Sequence, residues 1–188
     1  MRIKWYLIII SVCIILISVL TSISKDVSFI TSFLVTCFST LMVIIIDGIT
    51  AAICRFLPLK VALKEKEIFK VTKRERNFYI SIGIRKWKDK IPEIGHFTGF
   101  RKNKVCDPKN PEYINRFINE SSYGEIGHFF SMITGFLLLL FPIFTKIWFF
   151  ISLLVAIING LLNLLPIFVL RYNKFALILI YERINNIK

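Results

Sequence analysis

Apolar residues run along this chain in long blocks rather than in alternation. Trp5 to about Leu20, Val27 to about Ile46, Phe129 to about Phe144 and Ile147 to Leu170 form four such runs. A helix rises about 1.5 Å per residue and a hydrocarbon core is about 30 Å thick, so each run predicts a transmembrane helix. The first run follows Arg2 and Lys4, as a signal peptide would. It is too long for one and lacks a small-residue cleavage site, so a retained helix is expected. The second run meets Asp47-Gly48, continues mostly apolar to Leu57 and stops at Pro58. A carboxylate inside a span is a functional candidate by default. The plainer expectation is that Asp47 marks the headgroup level and Gly48 breaks the helix.

Between the second and third runs, Lys60 to Gly127 is hydrophilic. Val61 to Phe69 (VALKEKEIF) predicts a short interfacial helix, and the alternation in Asn77 to Ile84 (NFYISIGI) admits a short strand. The prolines and asparagine of Cys106 to Pro111 mark a loop. In Glu112 to Glu125 the apolar residues Tyr113, Ile114, Phe117 and Ile118 share one face, which predicts an amphipathic helix. After the fourth span, Arg171 to Lys188 has the pattern of an amphipathic tail on the membrane surface. The expected fold is an all-α integral membrane protein with four transmembrane helices. Residues 1–58 carry two spans, 59–127 form a basic cytoplasmic and interfacial segment, and 128–188 carry two spans and the tail.

Composition agrees with this: 55% of residues are hydrophobic, and mean hydropathy is +0.66. The net charge of +13 could point to nucleic acid, but its placement argues otherwise. With four spans and both termini on one side, every Lys and Arg except Lys25 and Lys146 falls on the side of the long loop. Such asymmetry marks the cytoplasmic face of a cell-membrane protein, and no nucleic-acid-binding motif accompanies it. Cys13, Cys37, Cys54 and Cys106 contain no C-x-x-C pair. They fit small hydrophobes better than a disulfide framework or zinc site.

Candidate chemistry concentrates in a phrase that occurs twice, Glu93-Ile94-Gly95-His96-Phe97 and Glu125-Ile126-Gly127-His128-Phe129, and these hold the only two histidines. On a helix the i, i+3 spacing of Glu125 and His128 puts both side chains on one face. A carboxylate beside an imidazole would fix its tautomer and make it a better general base. Paired Glu-x-x-His copies, with Glu112 and Glu120 nearby, could also hold two metal ions in a helical bundle. Pro92 and Gly99 around the first copy oppose a helix there, so no metal is expected. Arg85-Lys86-Trp87-Lys88-Asp89-Lys90 suits either an interfacial anchor or a clamp for phosphates. Asn163 is a polar residue inside the fourth span, where an amide needs a partner on another helix.

In this order these pieces resemble the glycosyl-4,4'-diaponeurosporenoate acyltransferases, small membrane enzymes of carotenoid synthesis. The matching elements are Ile68-Phe69-Lys70, Glu75, Phe78-Tyr79, Arg85-Lys86-Trp87-Lys88 with Lys90, Pro92-Glu93, Glu125-x-x-His128, Asn163 and Arg171-Tyr172-Asn173. Pro166 stands one position later than in the family's Asn-x-Pro, and Lys174 stands where arginine is usual. The resemblance implies transfer of a fatty acyl group to a hydroxyl of a lipid-linked sugar. Glu125 and His128 would be catalytic. Arg85, Trp87, Lys88, Lys90, Glu93, Asn163, Arg171, Tyr172 and Asn173 would bind substrate. The partners are then a lipid acceptor, an acyl donor such as acyl-CoA and the membrane, with no further cofactor and no nucleic acid. A reductase or methyltransferase of isoprenoid lipids is the second reading, although no glycine-rich phosphate loop is present. A non-catalytic lipid-binding protein is the third.

Overall fold

The computed structural model describes residues 2–56, 70–91, 105–140 and 146–186. Among them the chain forms α1 (Arg2–Lys25), α2 (Phe29–Phe56), α3 (Lys73–Ser81), α4 (Ile84–Trp87), α5 (Pro111–Thr134) and α6 (Lys146–Asn186). Short 3-10 turns follow α4 at Lys88–Lys90 and α5 at Gly135–Leu140. No strand occurs among the described residues. Among the described residues, four helical stretches are long and apolar enough to cross a membrane: Leu7–Lys25, Phe29–Phe56, Pro111–Leu140 and Lys146–Asn185. The protein is an all-α membrane protein. The first Glu-Ile-Gly-His copy, including Glu93 and His96, lies outside the described residues, as does the helix expected at Val61 to Phe69.

Two compact units divide the chain, Met1–Ile53 with His128–Leu164, and Cys54–Gly127 with Leu165–Lys188. In the first, Ile17, Val43, Leu138, Ile151 and Val155 form the buried apolar cluster. Ser18 and Thr21 on α1 and Ser32, Thr36 and Ser39 on α2 are completely buried. Helices in lipid gain little from apolar contact, so small side chains that permit close approach take that role. Two of the hydroxyls turn back onto their own helix, Ser18 to the Ile14 carbonyl and Thr36 to the Ser32 carbonyl, each at 2.7 Å. Large apolar residues such as Leu16, Ile23, Ile30 and Leu34 stay exposed, as a lipid-facing surface requires. The second helix runs unbroken through Asp47 and Gly48, so the expected helix break does not occur.

In the second unit, α3 replaces the expected strand. Thr72 caps it, accepting from the Glu75 N–H at 3.2 Å, and the Glu75 carboxylate takes the Thr72 N–H in return. This Thr-x-x-Glu box starts a helix whatever alternation follows. Gly83, at φ +70°, ends it in a left-handed conformation that favours glycine. Asn110 caps α5, its side-chain oxygen accepting from the N–H groups of Glu112 (3.0 Å) and Tyr113 (3.2 Å), with Pro111 at the first helical position. The predicted loop before it is observed. The amphipathic helix and the start of the third span prove to be a single helix. It passes through Gly124, where a Cβ would stand only 3.1 Å from a Leu170 methyl.

The fourth span and the tail are likewise one helix, running through Pro166. The tail was expected on the membrane surface. Instead Leu177 packs in a buried cluster with Ile114, Phe117 and Ile118 of α5, flanked by Ile178, Ile180, Tyr181 and Ile184. The apolar face that resembles an interfacial helix is covered by protein. Ile114 is fully buried. Ile114→Ala should therefore destabilise the protein by about 2–5 kcal/mol, read as a lowered melting temperature in detergent. A tail free on the lipid surface would leave stability unchanged.

Candidate active site

Four charged side chains from α3, α5 and α6 meet in the second unit. Arg171 grips Glu75 with two parallel bonds, Nε to Oε1 at 2.5 Å and Nη2 to Oε2 at 2.9 Å. Its Nη1 donates to Glu125 Oε1, and Nη2 also reaches the Lys70 carbonyl at 3.1 Å. Lys174, one turn further along α6 and 1% exposed, donates to the second oxygen of Glu125 at 2.5 Å. Tyr79 donates to Glu75 Oε1 at 2.5 Å. Two cations thus balance two carboxylates, which is how charges tolerate removal from water. Burial on its own pushes the Glu75 carboxyl up, but the bonds from Arg171 and Tyr79 outweigh it and hold the group below the usual carboxylate range. Burial, and then the bond to Glu75, push the Tyr79 phenol up, so it stays a neutral donor.

The residues between Arg171 and Lys174 point around the helix to the basic segment. Arg85 Nε donates to the Tyr172 hydroxyl at 3.1 Å, and Lys88 Nζ donates to Asn173 Oδ1 at 3.4 Å. The same ammonium lies 5.6 Å from the centre of the Tyr172 ring. Trp87 donates to the Ile82 carbonyl at 3.2 Å and packs against the cluster of Tyr79, Ile84 and Val169. Arg85 and Lys90 remain solvent-exposed. Arg85, Trp87, Lys88, Tyr172 and Asn173 are therefore brought together, while Arg171 is occupied by protein carboxylates.

In the first unit a neutral chain of hydrogen bonds ends in a carboxylate. His128 Nδ1 lies 2.9 Å from Asn163 Oδ1. Asn163 Nδ2 donates to Asp47 Oδ2 at 3.0 Å, and the Asn159 amide donates to Asp47 Oδ1 at 3.2 Å. Two more acceptors face the same nitrogen of Asn163, the backbone and side-chain oxygens of Asn159, each at 3.1 Å. An amide NH2 must point at this group of oxygens, so its own oxygen must point at His128. An oxygen can only accept, hence His128 carries its proton on Nδ1. In the neutral ring this leaves the lone pair on Nε2, the state of a general base.

The expected pairing of Glu125 with His128 is not what the structure contains. Helical spacing puts them on one face, but both Glu125 oxygens are taken by Arg171 and Lys174, and Asn163 holds His128. Stronger partners win: two cations outcompete one imidazole for a carboxylate. Asp47, read as a headgroup marker, is the carboxylate behind His128. The available signal was its position inside a span, together with two asparagines four residues apart in another.

A model of the glycosyl-4,4'-diaponeurosporenoate acyltransferase (CrtO) family matches residues 64–183, more than half of the chain. The chain belongs to this family. It is accordingly an acyltransferase of carotenoid biosynthesis. The matched segment includes Glu75, Arg85, Glu125, His128, Asn163 and Arg171, whereas Asp47 precedes it. No curated protein and no solved structure matches the chain.

Two outcomes follow from the charge cluster. Glu125→Ala strands the buried Lys174 ammonium and should cost about 3–5 kcal/mol, measured by thermal unfolding in detergent. A carboxyl held below its unfolded value stabilises the fold above that value, near 4.5 for Glu75, and loses the contribution as pH falls further. Wild type should thus lose melting temperature more steeply than Glu75→Gln on acidification below about pH 4.5; parallel curves would contradict the pairing.

Proposed function

We propose that this acyltransferase moves a fatty acyl group from an activated donor, such as acyl-CoA, to a hydroxyl of a glycosylated, carotenoid-like isoprenoid. His128 Nε2 takes the proton of the attacking hydroxyl as its oxygen bonds to the acyl carbonyl carbon. The tetrahedral intermediate collapses with loss of the donor's leaving group, which receives that proton from the imidazolium. The observation that carries the reading is the bond from His128 Nδ1 to Asn163, since in the neutral ring it puts the lone pair on Nε2 and it fixes the ring's orientation. No serine or cysteine stands beside a base among the described contacts, so transfer is written as direct, without an acyl-enzyme.

Arg85, Lys88 and Lys90 supply positive charge for the anionic groups of the donor, and Trp87 anchors their segment. Glu93 belongs to the same basic stretch of sequence. Tyr172 and Asn173 position Arg85 and Lys88, and Arg171 acts with Glu125 as a structural lock. No cofactor beyond the donor is required. Both termini and the basic segment lie on the cytoplasmic side of the cell membrane. In support, Lys25 at the end of α1 sits 4.8 Å from the ring centre of Phe150 near the start of α6, as two turns on the opposite side would.

His128→Ala should lower the rate of acyl transfer by about 10²–10⁴-fold with membrane abundance unchanged. The measurement is lipid-extract mass spectrometry with acyl-CoA and glycosylated acceptor in proteoliposomes. Wild-type turnover by this variant would overturn the assignment of the base.

A further inference from the structure

The basic segment and the charge cluster are absorbed by the functions above, but one half-buried carboxylate is not. Asp47 lies in the second span and outside the segment that the family model matches. Both of its oxygens accept from amides on consecutive turns of α6, Asn159 and Asn163, which are 9% and 7% exposed. A half-buried carboxylate within a span needs a reason, because neutral amides compensate its desolvation less well than a cation does. The backbone is also shaped around this arrangement. A Cβ on Gly135 would stand 2.6 Å from Asn159 Nδ2, so any larger residue there must displace the amide that Asp47 holds.

We infer that Asp47 is a positioning residue for acyl transfer: acting through Asn163, it sets the tautomer of His128 and provides the negative charge that the imidazolium requires. The inference rests on His128 being the base. Asn163 alone could present either its oxygen or its nitrogen to the ring, with opposite consequences for which ring nitrogen is free. Asp47 is the charged acceptor among the oxygens that face Asn163 Nδ2, the other two being those of Asn159, and with them it removes that choice. When Nε2 takes a proton, the new positive charge is felt by Asp47 through one polarisable amide, as in relays that place an acid behind a histidine. The second span is then part of the working site, and the family-matched segment by itself lacks the carboxylate.

The test exploits the protein's two histidines. Full-length protein labelled with 15N-histidine in a His96→Gln background presents a single imidazole, whose nitrogen shifts report its tautomer directly. With Asp47 intact, Nδ1 should be protonated and Nε2 bare at neutral to mildly alkaline pH. D47N, close to isosteric, should give mixed tautomers and a kcat lower by about 10–100-fold with KM little changed. Moving the carboxylate along the relay in D47N/N163D should restore the Nδ1-protonated form and part of kcat relative to D47N. A D47N protein that keeps both the wild-type tautomer and wild-type kcat overturns the inference. So does an exchange variant that accumulates normally yet leaves the tautomers mixed. Failure of the base assignment is distinguishable, because it appears as activity in His128→Ala, whereas the tautomer measurement needs no turnover.

Discussion

A charged side chain taken out of water must find a partner of opposite sign or a set of donors that replaces hydration. Much of this protein's polar architecture follows from that requirement. In the unit built from Cys54–Gly127 and Leu165–Lys188, Arg171 and Lys174 stand one turn apart on α6 and neutralise Glu75 and Glu125. Because the two carboxylates come from α3 and α5, charge balance also fixes how these helices pack on α6. Lysine at position 174 fits this role. One compact ammonium suffices for the remaining oxygen of Glu125, since Arg171 Nη1 already occupies the other.

The unit built from Met1–Ile53 and His128–Leu164 solves the same problem without a cation. Asp47 is satisfied by two asparagine amides, and the second of these passes the polarity on to His128. A direct carboxylate–imidazole contact would form a tight pair. An interposed amide instead holds the ring by Nδ1 without direct contact to the carboxylate. For transfer to a hydroxyl, the useful state of the histidine is the unprotonated one.

Several expectations failed for a common reason. Periodicity reports which faces of a segment are apolar, not what covers them. The C-terminal tail has the pattern of an interfacial helix, yet Ile114, Phe117 and Ile118 cover its face. Asn77 to Ile84 alternates like a strand, but Thr72, Glu75 and Gly83 supply start and stop signals for a helix, and these were legible. Gly48 did not break α2, since a glycine inside a long apolar helix costs only about 1 kcal/mol. Glu125 and His128 share a helical face as their spacing requires, but spacing cannot rank the partners that other helices bring.

The amino-acid sequence by itself determined the membrane class, the four long apolar helices, the loop before α5, the basic segment and the acyltransferase family. Each depends on local pattern or on motifs in fixed order, which survive without coordinates. Only the tertiary structure decided which carboxylate serves which cation and which residue holds His128. Those choices are made between residues separated by 35 to 116 positions, where the energy of a pair depends on distance and burial that no linear pattern carries.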